Sequence, residues 1–272
     1  MSRISEVFQS AARESRMAFM PFVTAGDPDL NTTFAVLRSL RDADVDLIEL
    51  GCPYSDPIAD GPVIQASYTR ALNSGITVDK IFQMMESLQD GTMPPVLAMV
   101  SFAIIFRHGT ALFVEHAAKA GFSGLIIPDL PADEASDVVA AAQKHGLDVV
   151  QLIAPTTTAE RTKQILAAST GFLYCISVAG TTGVRLELPK ELTEQLKSLR
   201  AQSNLPLAVG FGISSPEQVS ALEGVADGII VGSAIVRRMA DARDSAAAAA
   251  SVGAFAKEMR VATGNTKPSI EK

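Results

Sequence analysis

Three acids crowd one short stretch of this chain. A mostly apolar run from Val45 leads into Glu49, and the Pro- and Gly-rich loop that follows, up to Pro62, carries Asp56 and Asp60. An unpartnered carboxylate at the end of a buried strand is unfavourable by several kcal/mol, or it changes its protonation state. Stability alone does not place one there. Glu49 and Asp60 are therefore the first candidates for acid–base chemistry, and Asp56 reads as a turn or interface residue. A solvated acid on a fraying strand end is the plain alternative for Glu49, and a turn residue the plain alternative for Asp60.

The elements that must position these acids recur along the chain. Residues 2–15 have the apolar spacing of a short amphipathic helix, and Ala18–Thr24 reads as a buried strand. Asn31 is placed to cap the helix that carries Phe34, Leu37 and Leu40. Strands are expected at 45–50, 95–100, 123–127, 148–153, 172–177, 205–210 and 227–231. Helical patterns fall at 62–73, 78–89, 110–119, 132–145, 158–168, 189–202, 216–223, 233–241 and 245–261. The strands are continuous Val/Ile/Leu runs, as expected of parallel strands covered on both faces. Eight strand–helix units in one domain-sized chain predict a (β/α)8 TIM barrel with an extra N-terminal helix and further additional helices. A doubly wound open sheet is the alternative. One domain is expected over residues 1–262, with 263–272 a polar, disordered tail.

In such a barrel the loops at the C-terminal ends of the strands build the active site. Alternation puts Val45, Leu47 and Glu49 on one face of their strand and Ile48 and Leu50 on the other. If Leu50 packs on helices, Glu49 points into the mouth, where apolar surroundings raise its pKa towards neutrality. The last two loops suit a phosphate. Gly210-Phe211-Gly212-Ile213-Ser214 follows strand 7, and Gly232-Ser233 follows strand 8 and opens a helix. Backbone N–H groups and the helix dipole at such a place favour an anion, although each motif alone reads equally as turn glycines. The loop Ala179-Gly180-Thr181-Thr182-Gly183 has the composition of a lid whose Thr182 can meet a carboxylate on closing, or of a plain surface loop. Phe22, Ile64, Met99, Ile126, Tyr174 and Phe211 are the candidate apolar walls, although such a residue alone is more often core.

Other chemistries fit poorly. The nine lysines fall in helices, at helix ends or in the tail, so no Schiff-base lysine is placed in the mouth. His108, His116 and His145 fall in one loop and two helices, with no metal-ligand spacing. Cys52 and Cys175 lie far apart, which argues for a reduced, cytoplasmic setting and against a disulfide framework. The 272 residues are 47% hydrophobic and 19% charged, with 23 basic against 30 acidic side chains and a net charge of −7. With no Lys/Arg run, that balance argues against nucleic acid or an anionic membrane as a general partner. No apolar run approaches the roughly 18 residues needed to span a bilayer. Acid–base chemistry on a phosphorylated, partly apolar small molecule is what remains.

At this point whole stretches resemble the tryptophan synthase alpha chain family. They are Phe19–Pro28, Glu49–Pro62, Ile127-Pro128-Asp129-Leu130-Pro131, Ala179–Gly183, Gly210–Ser214 and Gly232-Ser233, in family order across nearly the whole chain. The resemblance implies a (β/α)8 barrel that cleaves indole-3-glycerol phosphate to indole and glyceraldehyde 3-phosphate without metal or organic cofactor. It implies that Glu49 moves protons, to indole C3 and from the glycerol hydroxyl, and that Asp60 stabilises charge at the indole N–H. Thr182 then matches a lid residue that contacts Asp60, and Gly183, Gly212, Gly232 and Ser233 match phosphate binders. Phe22, Tyr174 and Phe211 match pocket walls. An α2β2 complex with a pyridoxal-phosphate β chain is also implied, with Asp56 and Pro57 in the loop that faces it. Two departures stand out. The family commonly has a Tyr- and Asn-containing segment after strand 3, where this chain has Val100-Ser101-Phe102-Ala103-Ile104-Ile105, and it usually has Val where Thr181 stands. The departure after strand 3 keeps a stand-alone lyase releasing free indole as the alternative within enzymes. A catalytically silent regulatory subunit is the alternative outside them.

Overall fold

The fold follows from eight short apolar runs that cannot leave either face in water. In a computed structural model of the chain, which describes residues 1–57, 60–176, 190–210 and 212–264, these runs pair as parallel strands. They are β1 (Ala18–Thr24), β2 (Ile48–Gly51), β3 (Val96–Met99), β4 (Gly124–Ile126), β5 (Asp148–Ile153), β6 (Leu173–Ile176), β7 (Leu207–Gly210) and β8 (Gly228–Val231). Each pairs with the next and β8 returns to β1, so the sheet is a closed eight-stranded barrel. Closure rules out the open-sheet alternative. Because all strands run the same way, their C-terminal ends share one rim.

Helix α1 (Arg3–Arg13) precedes the barrel, and the other helices flank it: α2 (Leu30–Asp42), α3 (Pro62–Asn73), α4 (Val78–Ser87), α5 (Phe102–His108), α6 (Thr110–Lys119), α7 (Ser136–Lys144), α8 (Ala159–Ala168), α9 (Lys190–Gln202), α10 (Ser233–Ala240) and α11 (Ser245–Thr263). Between β7 and β8 the chain forms a 3-10 helix, Pro216–Leu222, in place of the expected α-helix. Two apolar cores result. The outer one packs strand side chains such as Ile48, Leu50, Ala98 and Val209 against the helices. The inner one fills the barrel with Met20, Phe22, Leu47, Leu97, Ile126, Val150, Phe172 and Ile230.

The extra N-terminal helix plugs the rim opposite the mouth. Ile4, Phe8 and Ala11 form its buried stripe, and the Phe8 ring lies 5.4 Å from that of Phe172. Two local expectations change. The cap of α2 is Asp29 rather than Asn31: its carboxylate accepts a hydrogen bond from the Thr32 amide at 2.7 Å. An acid two residues earlier starts the helix before its apolar stripe begins. Helix α5 lies where the sequence suggested no helix. Its apolar run Phe102–Ile105 carries no helical period, and part of its N-terminal capping comes from a distant side chain described below.

Candidate active site

Glu49 sits inside the barrel mouth. On β2 it lies in register with Phe22 of β1 and Leu97 of β3. Leu47 faces the inner core on the same side, while Ile48 and Leu50 pack outward. The Glu49 side chain is fully buried, and neither carboxylate oxygen has a hydrogen-bond partner among the described residues. Burial first, and the charge of Asp60 second, push its pKa up to about 8. Near pH 7 it is a neutral acid holding a proton in an apolar site.

Asp60 lies half-buried in the loop after β2, and burial raises its pKa to about 6. It is therefore mostly ionised where Glu49 is mostly neutral. The side-chain amide of Gln65 holds the loop by donating to the carbonyls of Asp60 (2.8 Å) and Pro57 (3.2 Å). Gly61 and Pro62 then turn the chain into α3, with Pro62 at the first helical position, where its missing N–H is harmless. Two links fasten α3 to the end of β1 and the loop after it. The hydroxyls of Thr24 and Ser67 lie 2.7 Å apart, and Arg70 donates twice to the buried Asp27 carboxylate, at 2.8 Å each. The buried face of α3, formed by Ile64, Ser67, Tyr68 and Ala71, is thereby set against the mouth.

Gly51, two residues beyond Glu49, is where close approach decides the residue type. A Cβ there would stand 2.5 Å from the Phe22 ring and 2.8 Å from the Tyr68 hydroxyl. Of the expected wall residues, Phe22, Ile64, Met99, Ile126 and Tyr174 come together in the inner core, with Tyr68 among them. Phe211 and Thr182 lie outside the described residues. Burial, and then the charges of Glu49 and Asp60, hold the Tyr174 phenol well above its ordinary pKa, so it keeps its proton. A cavity of about 320 Å³ opens beside Asp60, lined also by Cys52, Tyr68, Met99, Val100 and Pro128.

Of the four expected phosphate binders, Gly183 lies outside the described residues. Gly212 is exposed after β7 with a φ of +58°, a conformation that favours glycine. Gly232 ends the β8 loop and Ser233 opens α10. A Cβ at Gly232 would rest 3.7 Å from Phe22, so this helix start borders the side chain in register with Glu49. The first amides of a helix have no intrahelical acceptor and point outward, with the positive end of the dipole behind them. The mouth thus combines a neutral buried acid, an ionised acid, an apolar slot and a helix start whose free amides favour negative charge. Among the described residues no group of three His, Cys, Asp or Glu side chains is placed to hold a metal ion.

The chain as a whole is similar to known proteins. The family profile of the tryptophan synthase alpha chain matches residues 8–264. The chain belongs to that family. It is 48% identical over 250 residues to the alpha chain of Rhodopirellula baltica, covering 90% of each. It is 47% identical over 262 residues to that of Prochlorococcus marinus, covering 96% of this chain and 95% of the relative. Among solved structures, the alpha subunit of Legionella pneumophila superposes with a TM-score of 0.88 at 37% identity, over 97% of this chain and 99% of that one. A chain of Mycobacterium tuberculosis tryptophan synthase gives 0.88 at 33% identity, over 96% and 98%. The family is one of enzymes of tryptophan biosynthesis, and the barrel is its fold.

The remaining rim residues differ from what a reading of family motifs alone supplies. Asp56 is exposed and Pro57 partly so, and both border the cavity that holds Asp60. Across that cavity Asp129 accepts hydrogen bonds from the Ser101 hydroxyl (2.6 Å) and the Phe102 amide (2.7 Å), capping α5 from the loop after β4. The same helix carries Phe106, 72% exposed, with the Phe102 ring 6.1 Å away. Neither Phe106 nor Tyr68 is singled out by motif. Tyr68 was traceable, since it lies one helical turn beyond Ile64 and so on the same face.

Proposed function

We propose that this chain cleaves indole-3-glycerol phosphate to indole and glyceraldehyde 3-phosphate as the lyase subunit of tryptophan synthase. The observation that carries the reading is Glu49: a wholly buried acid, without a hydrogen-bond partner among the described residues, placed in one mouth with a half-buried Asp60. In the proposed reaction the neutral Glu49 gives its proton to indole C3. The ring nitrogen becomes cationic, and the Asp60 carboxylate stabilises its N–H. The resulting Glu49 carboxylate takes the proton from the hydroxyl on the adjoining glycerol carbon. That carbon becomes the aldehyde as its bond to C3 breaks, and the bonding pair restores the aromatic indole. Atoms balance, and Glu49 ends with its proton restored.

The apolar slot formed by Phe22, Ile64, Met99, Ile126 and Tyr174 suits the indole ring, with Thr182 and Phe211 as further contacts. The start of α10 at Gly232 and Ser233, with Gly183 and Gly212, suits the phosphate. This division separates the two ends of the substrate across Phe22, which borders both Gly51 and Gly232. The steps use side chains and backbone alone. We further read the Asp56–Pro57 loop and the exposed end of α5 as the face that meets a β chain, in an α2β2 assembly that receives the indole.

Turnover of indole-3-glycerol phosphate, with and without an added β chain, tests this. Cleavage that accelerates with the partner supports the whole reading. Cleavage at an unchanged rate supports a stand-alone lyase, and binding without cleavage supports a silent regulatory subunit.

A further inference from the structure

Tyr68 occupies the join between the two acids. It lies on α3, and its ring belongs to the inner core at 4% exposure. It borders the 320 Å³ cavity together with Asp60 and Met99. Its hydroxyl lies 2.8 Å from where a Cβ on Gly51 would stand, two residues along β2 from Glu49. The phenol thus reaches from the helix that follows Asp60 to the strand that carries Glu49. No hydrogen bond occupies this hydroxyl among the described residues. Burial, and then the charges of Asp60, Cys52 and Glu49, keep its pKa well above the usual value for a phenol. It therefore keeps its proton near neutrality, where Asp60 is mostly ionised.

We infer that Tyr68 is a positioning residue for the proposed reaction, whose hydroxyl donates to the Asp60 carboxylate once substrate fills the cavity. A carboxylate has two oxygens and room for several donors. With one oxygen held by Tyr68, the other is aimed at the ring N–H of the substrate. A carboxylate fixed before charge develops stabilises it more than one that must first reorient. The inference rests on the reading of the reaction given above, and it assigns Tyr68 no direct contact with the reacting atoms.

Tyr68→Phe keeps the ring and removes only the donor. Its effect is read as a cycle with Asp60→Asn, by calorimetric binding of an indole-3-alkyl phosphate that lacks the glycerol hydroxyls and so cannot be cleaved. Beside an intact Asp60, Y68F is expected to weaken binding about tenfold, the size of one hydrogen bond to a charged group. In the D60N background it is expected to change binding less than twofold. In turnover, Y68F is expected to lower kcat/KM at least about tenfold, and to move the acidic limb of the kcat profile upward, because Asp60 has lost a donor that favours its ionised form. Equal losses in both backgrounds, or an unshifted limb, overturn the inference. Wild-type turnover separately decides whether the reading of the reaction stands, and the binding cycle is informative whichever way that falls.

Discussion

The charge of Asp60 adds to burial in holding the Glu49 carboxyl up to about 8, while Asp60 itself is held near 6. Two carboxyls in one pocket are thereby split into an acid and a base across neutrality. The split comes from depth. Glu49 lies inside the barrel, where no hydrogen-bond partner among the described residues compensates its charge, and Asp60 borders a cavity. Pairs of titratable groups pushed apart in this way mark an acid–base assignment.

A bell-shaped pH dependence of kcat/KM follows. In the proposed reaction the reactive form has Asp60 ionised and Glu49 protonated, so activity should rise as pH passes about 6 and fall as it passes about 8. These are apparent values of the coupled pair. Asp60→Asn should remove the acidic limb and move the upper limb downward, since a like charge near Glu49 is gone. It should also slow turnover by about 10²-fold, in keeping with the loss of one group that stabilises developing charge. Rates measured from pH 5 to 9.5 on wild type and variant check this. An upper limb that stays in place in D60N would separate the two acids.

Glu49→Gln should abolish cleavage while changing stability in a pH-dependent sense. In the folded chain the carboxyl keeps its proton up to about 8, and in the unfolded chain it releases it near the usual 4.5. Between those values the folded state binds more protons, so stability falls as pH rises through the window and levels off above it. Below 4.5 both states hold the proton and none of this loss has occurred. Glutamine does not titrate, so relative to wild type the variant gains stability on going from pH 5 to pH 8.5. The ceiling is roughly 4–5 kcal/mol for a shift of this size. Urea unfolding at both pH values measures it, and parallel curves would contradict the burial of a titrating Glu49.

Gly51→Ala should damage both fold and site. The new methyl would meet the Phe22 ring and the Tyr68 hydroxyl, both on buried side chains with little room to retreat. Overpacking of this kind costs about 1–3 kcal/mol. Because the two displaced side chains border Glu49 and Asp60, kcat/KM should fall as well. Thermal melting and steady-state rates on the same preparation check both parts.

The barrel was legible in the sequence because each strand is an apolar run that reads the same in any neighbourhood. The facing of Glu49 was legible too, since alternation from Leu47 onward is local: Leu47 turns in, and Ile48 and Leu50 turn out, whereas Val45, expected on the face of Leu47, precedes the strand and packs in the outer core. What resisted reading depends on residues far apart in the chain. Helix α5 takes part of its cap from Asp129, about 28 positions away, and its apolar start gives no period to recognise. The role of Tyr68 depends on Gly51 leaving space on another element. Asp27 and Arg70 likewise look like ordinary loop and helix charges until folding brings them within 2.8 Å.

Asp129→Ala tests the link between α5 and the proposed β-chain face. The Asp129 carboxylate holds the Ser101 hydroxyl and the Phe102 amide, and so fixes the start of a seven-residue helix that offers little cooperativity of its own. Losing such a cap costs about 1 kcal/mol. The loss should fall on α5 and on the direction in which it presents Phe106, an exposed ring on the same rim as Asp56 and Pro57. We expect amide exchange over residues 102–108 to speed up several-fold, and the ratio of turnover with the β chain to turnover without it to drop. Phe106→Ala provides the independent comparison. At 72% exposure its removal should shift stability by less than about 0.5 kcal/mol, yet weaken β-chain association about tenfold if the ring anchors the interface. Unchanged association in F106A, together with an unchanged activation ratio in D129A, would move the docking face away from α5.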